Sequence, residues 1–425
     1  MFTLSDDQKI SVNDIMSFLA DDVPGEMILG GKAGTGKTYL TKYILEEIDT
    51  DPRMKAHRLL AKNTQGKIGS IHLCSTTNKA ASILGQATGH QAVTIHRLLG
   101  LTVRNNHETG ESDLVPTKRT KVIEESLIII DEASMISKKL LQTIRDLTFK
   151  CKVLFIGDPY QLAPVKETTS PVFVQIPEQT HLTKIQRQAA NSSIIRYADL
   201  FRNAVDTGVF PQIQSCGTDV IHLDAQDFMD EIDRHFYQVP HKNFARIVAW
   251  SNNAIHVYNK KIRALNNLPT KWTVGEYALS NTPIHFAEKV VVSTDSIVQI
   301  TDIGPEDSYE GIKGHMFRFE NNAGSEYSVF QANNQTEVNR LVRTLVKQKR
   351  WKDKFTVEEF FSDFRPMYAN TINKAQGSTY ENVFIDLNDI GRNTQNTNIA
   401  RLMYTAITRA ANKVYMCGQL PDRLY

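Results

Sequence analysis

The run Gly31-Lys32-Ala33-Gly34-Thr35-Gly36-Lys37-Thr38 fits G-x-x-x-x-G-K-[ST] at every position. Residues of these types at this spacing do one kind of chemistry, holding the phosphates of a nucleoside triphosphate. Glycines let the backbone N–H groups of a loop such as Gly31, Ala33, Gly34, Thr35 and Gly36 converge on phosphate oxygens. Lys37 then reaches the β- and γ-phosphates, and the Thr38 hydroxyl ligates Mg²⁺. A second pair, Asp131-Glu132, closes the apolar run Leu127-Ile128-Ile129-Ile130. A carboxylate there can hold the Mg²⁺ shell, and its neighbour can orient and deprotonate the attacking water. Gln161, in Gly157–Val165, is placed to hydrogen-bond the γ-phosphate and report its loss. Gln8, upstream, has the amide donor and acceptor that an adenine edge needs; an isolated glutamine on a solvated helix face would look the same.

Chemistry of this kind needs rigid supports, and the flanking sequence supplies them. Met27-Ile28-Leu29 reads as a buried strand, and Tyr39–Leu45 carries apolar residues at helical spacing. Strand, glycine loop and helix in that order put a helix N-terminus behind the phosphates. Residues 4–20 read as an amphipathic helix. Ser70–Cys74, Leu127–Ile130 and Lys152–Ile156 read as further strands, the third continuously apolar, as a central parallel strand is. Thr76-Thr77-Asn78 follows the Ser70–Cys74 strand and precedes a helix, suiting a nucleic-acid phosphate or plain N-capping equally. Residues 98–120 break this rhythm. Alternating Leu99, Leu101 and Val103, then turn chemistry at Asn105–Gly110, predict a β-hairpin projecting from the core, with a mobile surface loop as the alternative on loop-length grounds.

Past residue 185 the pattern restarts without a second phosphate loop. Arg246–Ser251, Val383–Asp386 and Val414–Cys417 read as strands, Asn253–Leu265 and Ala400–Ala411 as helices. Residues 275–365 interrupt this second α/β unit. Up to Gln331 they read as short strands with turns at Gly304-Pro305, Asn321-Asn322 and Gly324, a small barrel pattern. Residues 335–365 read as helical, with Leu341, Leu345 and Trp351 on an apolar stripe. Arg340, Arg343, Lys347, Lys349 and Arg350 surround it as a basic run that a solvated face also explains.

The 425 residues suit two or three domains. A hydrophobic content of 41% and a charged content of 23% are those of a soluble globular protein, and a net charge of +2 confines any nucleic-acid footprint to a local groove. Cys74, Cys151, Cys216 and Cys417 are scattered without a C-x-x-C pair, which argues for reduced thiols and against a disulfide frame or zinc site. Met1–Ile10 has no apolar run and is not expected to be a signal peptide. No apolar run approaches membrane-spanning length.

Taken as an ordered set, these segments resemble the superfamily 1 helicases of the 5′→3′-translocating RecD/Dda branch. The phosphate loop, Ser75–Asn78, Thr94–His96, Asp131–Ser134, Gly157–Val165, Leu182–Arg187, Thr371–Thr379 and Met403–Ala410 stand in that family's motif order across nearly the whole chain. The resemblance implies ATP and Mg²⁺ as cofactors and two RecA-like domains. The first would be 1–97 with 121–185, and the second 186–274 with 366–425. Residues 98–120 would be a duplex-separating pin, with Asn105, Asn106 and His107 at its tip, and 275–365 an SH3-like barrel with a helical extension. By the same resemblance Arg187 and Arg409 are arginine fingers, and Gly377 lies at the nucleotide. Thr76, Thr77, Asn78, Thr94, His96, Trp250, Asn252, Thr371, Asn373 and Lys374 would line single-stranded DNA. Trp250 has core packing as its alternative. Many relatives carry His where this chain has Asn373, which can hydrogen-bond a phosphate but cannot become charged.

The expected activity is ATP-dependent translocation on single-stranded DNA with unwinding of duplex–single-strand junctions. A monomer is expected, acting in the cytoplasm of a phage's host, with replication or single-strand-binding proteins as further partners and no membrane. A protein-remodelling or DNA-packaging P-loop ATPase is the competing reading, separated by single-strand-stimulated hydrolysis. A silent nucleic-acid scaffold is a third, opposed by intact Lys37, Asp131, Glu132 and Arg409.

Overall fold

The structure, a computed structural model, describes residues 4–52, 70–105, 112–117, 120–164, 167–185, 192–238, 244–286, 289–321 and 324–425. Val165, Gln186, Arg187, Asn106 and His107 therefore lie outside the described residues. The chain forms two compact units: residues 1–101, 116–228 and 375–425 make the first, and residues 102–115 and 229–374 the second.

Six strands build the main sheet of the first unit: β1 (Gly25–Gly31), β2 (Ser70–Ser75), β3 (Ala92–Thr94), β4 (Ser126–Asp131), β5 (Lys152–Gly157) and β6 (Gln179–Leu182). Their spatial order is β6-β1-β5-β4-β2-β3, and every pairing is parallel. A strand buried on both faces must be apolar throughout, and the alternation of its side chains sorts them to two cores. Met27, Leu29, Leu127, Ile129, Leu154 and Ile156 join one core, with the helices α1 (Asp6–Ala20) and α2 (Lys37–Thr50). Ile28, Ile128, Ile130, Val153 and Phe155 face the other core, which includes Leu140, Leu141 and Ile144 of the Lys138–Asp146 helix. Leu40, Ile44, Leu45 and Ile48 of α2 are all buried at helical spacing.

The first unit also holds a parallel trio. Val220–Leu223 and Tyr380–Asp386 each pair with Ala410–Cys417. The helices α4 (Ser193–Thr207) and α5 (Asn396–Ile407) belong with it, the helix α3 (Asn78–Thr88) having followed β2. Helix α5 ends at Ile407, so Thr408 is its C-cap and Arg409 stands between helix and strand. This corrects the expected helix through Ala411, since Ala410 already pairs with Tyr380.

In the second unit, Ala245–Ala249 pairs in parallel with Ala369–Thr371 and leads into the Asn252–Leu265 helix. Most of the remainder is a ladder of Tyr277–Ser280, Ile297–Tyr309, Ile312–Glu320 and Glu326–Ala332, antiparallel among these four, with Phe361–Ser362 added in parallel to Glu326–Ala332. Its two outer strands, Phe361–Ser362 and Phe364–Pro366, are consecutive in the chain across Asp363. The ladder thus returns on itself. Gly304-Pro305 is not a turn. It sits inside the Ile297–Tyr309 strand, where the register shifts between Ile303 and Glu306, because strand pairing continues on both sides and the breaker residues are absorbed as a bulge. The reversal falls instead at Glu310-Gly311, both with positive φ, as a two-residue hairpin requires. Helices cover Gln335–Lys347 and Trp351–Phe360, and the expected helix to residue 365 ends earlier because Phe361–Ser362 joins the ladder. The expected hairpin in 98–120 is present as Leu101–Asn105 paired with Ser112–Pro116. Its base is narrower than expected, since Leu99 is buried in the core and Gly100 accepts hydrogen bonds from Thr117 and Thr120.

Candidate nucleotide site

Parallel strands present all their carboxyl ends at one edge of a sheet, and ligands bind at that edge. Gly30 is level with Gly157 and Ser75 with Asp131. The register thus brings the 31–38 loop, Ser75–Asn78, Asp131-Glu132 and Gly157–Gln161 to one rim. Within the loop Gly34 and Gly36 have φ of 80° and 86°, the left-handed region that glycine enters without strain. A Cβ on Gly31 would lie 2.8 Å from the Thr35 hydroxyl. Lys37 Nζ donates to the carbonyls of Gly31 (2.7 Å) and Lys32 (2.9 Å), so the loop curls around its own cation. Burial pushes the Lys37 ammonium below its ordinary pKa, while Asp158, Glu132 and Asp131 oppose that.

Gln8 is buried, not on a solvated face. Its amide nitrogen donates to the Thr35 carbonyl at 3.1 Å, and its oxygen accepts from the Ser5 N–H at 3.1 Å, closing a capping box at the start of α1. The glutamine therefore fastens the first helix to the phosphate loop.

Asp131 ends β4, and one of its carboxylate oxygens accepts the Glu132 N–H at 2.8 Å. Burial, with the adjacent Glu132 charge, raises the Asp131 carboxyl to about 7. Glu132 has φ 57° and ψ 44°, a conformation that costs a non-glycine residue about 1–3 kcal/mol and persists only where its surroundings enforce it.

The C-terminal segment of the first unit reaches this rim through side chains. The hydroxyl of Tyr404, on α5, donates to Asp158 Oδ2 at 2.6 Å and accepts the Ala33 N–H of the phosphate loop at 3.3 Å. One turn earlier, Arg401 donates to the carbonyls of Pro159 and, at 2.8 Å, Gln161. Gln376 donates to Ser134 (3.0 Å) and to the Gln161 side chain (3.2 Å). A Cβ on Gly377 would lie 3.5 Å from Glu132 Oε1. Arg409, 5% exposed, donates to the Thr405 and Ser378 carbonyls at 3.1 and 3.3 Å. Its charge is close enough to lower the Lys37 pKa further. Lys37, Asp131, Glu132, Gln161 and Arg409 thus share one locality.

The residues expected to meet nucleic acid divide between the units. In the first, Thr77 caps α3 through the Ala80 N–H, Asn78 is exposed, and the buried Thr76 hydroxyl has no hydrogen-bond partner among the described residues. Thr94 caps the short Ile95–Leu98 helix, and burial lowers the His96 imidazole. In the second, Trp250 is 37% exposed. Asn373 is exposed, while the Asn252 amide accepts from Arg365 at 3.4 Å. Thr371 accepts the Lys374 N–H, and Lys374 Nζ pairs with Asp295 at 2.9 Å and hydrogen-bonds Asn281.

Tyr404, Arg401, Gln376 and Asp158 were not singled out from sequence. A signal existed. Residues Ile399–Ile407 are buried on every side of α5, and polar residues in such a helix must find partners.

Comparison with known proteins adds to this geometry. The AAA domain profile matches residues 3–215, and the UvrD-like helicase C-terminal domain profile matches residues 366–417. The ATP-dependent RecD2 DNA helicase of Deinococcus radiodurans is 34% identical over 179 residues, which are 40% of this chain and 21% of that one. The ATP-dependent DNA helicase dda of Enterobacteria phage T4 is 30% identical over 209 residues, 47% of this chain and 43% of its own length. The chain thus spans less than half the length of either relative. A solved structure of Pif1 helicases at forked double-stranded DNA covers 100% of this chain and 94% of its own, with TM-score 0.50 and 16% identity. That likeness shows the fold, an α/β architecture of RecA-like parallel sheets.

Proposed function

We propose a function from one premise: this chain belongs to the AAA domain family and, among P-loop ATPases, to the superfamily 1 helicases of the RecD/Dda branch. It is an ATP-dependent DNA helicase that translocates 5′→3′ on single-stranded DNA and unwinds duplexes. The observation that carries this is Gln376. Its side chain bonds the Gln161 amide at the nucleotide rim, and its backbone lies two residues from Lys374 and five from Thr371. Gln376 thus ties Gln161 to the stretch of chain that carries the segment assigned to the DNA strand.

The residues present fit ATP and Mg²⁺. Loop N–H groups and Lys37 would hold the phosphates, and Thr38 and Asp131 the metal. Mg²⁺ keeps several waters and needs only one or two protein ligands, so a hydroxyl and a carboxylate suffice. Bound Mg²⁺·ATP supplies the phosphoryl group and its compensating charge. Glu132 takes the proton of the attacking water, Gln161 orients toward the γ-phosphate, and Arg409 with Arg187 stabilises the transferring group. Arg409 donates to the Thr405 and Ser378 carbonyls and to the Thr408 hydroxyl, so it would exchange these partners for the phosphate to do this. Hydrolysis opens and closes the cleft between two RecA-like domains, 1–97 with 121–185 and 186–274 with 366–425. Residues 98–120 form the pin, and 275–365 an SH3-like barrel with its helical extension. Thr76, Thr77, Asn78, Thr94, His96, Trp250, Asn252, Thr371, Asn373 and Lys374 line the strand. Single-strand DNA and junctions are the partners.

The test is ATP-dependent unwinding of matched 5′-tailed and 3′-tailed duplexes, with Lys37→Ala as control. Opening of the 5′-tailed duplex alone is expected. Hydrolysis that single-stranded DNA does not stimulate would overturn the reading, and preference for the 3′ tail would overturn its polarity.

A further inference from the structure

The Gln335–Lys347 helix has two faces of opposite chemistry. Val338, Leu341, Val342 and Leu345 lie against the ladder, with Val338 and Leu345 fully in its core. At 100° per residue, Arg340, Arg343 and Lys347 fall within a narrow arc on the opposite side. All three are exposed, and none has an ion-pair partner among the described residues. Their neighbours differ: Arg350 is paired with Asp353 and Lys354 with Glu358. Residues 335–350 contain five Lys or Arg (340, 343, 347, 349, 350) and one acid, Glu337, a local charge of +4 where the whole chain carries +2.

Helix energetics explain only part of this. Cations in the last turn complement the helix dipole, which accounts for Lys347 and its successors, and Glu337 suits the first turn. Arg340 and Arg343 are in the middle, where the dipole gives them nothing. We propose that this row is a docking surface for the phosphate backbone of duplex DNA. The row is straight and held by a buried face, and it spans about 10 Å along the helix axis. A rigid line of cations fits a rigid, regularly charged rod, one phosphate per about 1.7 Å of duplex axis. Single strands are gripped by aromatic stacking, and no aromatic residue lies on this arc. The row rests on the helicase reading only for its purpose, holding the duplex that is being opened.

The test uses the full chain, without nucleotide, and a blunt duplex as probe. Arg340→Gln, Arg343→Gln and Lys347→Gln combined keep helix propensity and remove three charges. Losing three phosphate contacts should flatten the salt slope of log affinity by about 2.7, so that between 50 and 200 mM salt the parent loses about 40-fold more affinity than the variant. Single-stranded DNA affinity and single-strand-stimulated ATPase should stay within about twofold, and glutamate at the same three positions should weaken duplex binding further. An unchanged slope would overturn the proposal. So would an equal loss for single strands, or loss of binding to a polyglutamate peptide with duplex binding intact, which would assign the row to an acidic protein partner. Parent protein without single-strand-stimulated ATPase would sink the helicase reading instead, and the duplex arm is measured independently of it.

Discussion

Tyr404→Phe isolates one hydroxyl that joins three segments. It donates to a carboxylate, Asp158, that is 2% exposed, and it accepts the Ala33 N–H of the phosphate loop. Hydrogen bonds to charged groups are worth about 1.5–3 kcal/mol, and a buried carboxylate left without its donor bears the cost of desolvation. The Ala33 contact, at 3.3 Å, adds little. A loss of about 2 kcal/mol is expected, roughly 30-fold if it falls on the transition state. Asp158→Asn leaves one carbonyl oxygen where two carboxylate oxygens accept from Tyr404 and the Tyr160 N–H, and it removes the largest attraction holding charge on Lys37. The assay is a double-mutant cycle on kcat/KM of DNA-stimulated ATPase, with thermal melting alongside. If the hydroxyl positions the loop, kcat/KM falls about 10- to 30-fold in Tyr404→Phe, and the double variant is far less than the product of the singles. Parent kcat/KM with a lowered Tm would make Tyr404 a structural clasp only. Parent values of both would refute the reasoning.

Glu132→Gln should bind nucleotide and DNA yet lose turnover, since an amide can position water but cannot take its proton; failure to bind nucleotide would make Glu132 structural. Arg409→Ala should slow hydrolysis by about a thousandfold with the first unit still folded, and unchanged turnover would remove Arg409 from the site. Trp250→Ala should weaken single-strand binding by about 1–3 kcal/mol with Tm close to the parent's; a large Tm loss with normal affinity would make the ring a packing residue and end its role as a stacking platform. Burial acts to raise the Asp7 carboxyl, but the N–H groups of Lys184 and Thr183 and the hydroxyls of Ser5 and Thr183 outweigh it and hold it at about 2, below the usual 3.8. A depressed carboxyl stabilises above its unfolded pKa and loses that as pH falls, so about 1 kcal/mol after solvent screening should vanish between about pH 5 and pH 2. Asp7→Asn should melt lower at pH 7 and match the parent near pH 2; an unchanged Tm at pH 7 would refute the link.

The parts legible in the sequence are those whose cause is local. Leu127–Ile130 announces a central strand because each side chain meets a core, and the two cores split Ile128 and Ile130 from Leu127 and Ile129 as alternation requires. The glycine loop announces itself because Gly34 and Gly36 occupy backbone regions that few other residues enter. Gly304-Pro305 misled because turn chemistry is only a preference, and pairing of Ile297–Tyr309 with Ile312–Glu320 on both sides of the bulge outweighs it. Tyr404 and Arg401 were invisible for a different reason. Their partners, Asp158, Pro159 and Gln161, are more than 230 residues away, and no period in Ile399–Ile407 points to them. What sequence does carry is the demand: a tyrosine and an arginine inside a helix buried all round must be paid back in hydrogen bonds. The same logic applies to the nucleotide site as a whole. The first segment supplies groups that any P-loop ATPase has, but Gln376, Arg401 and Tyr404 tie Gln161 and Asp158 to residues 375–425 by hydrogen bonds. The coupling that would turn hydrolysis into movement therefore resides in contacts that only the folded chain brings together.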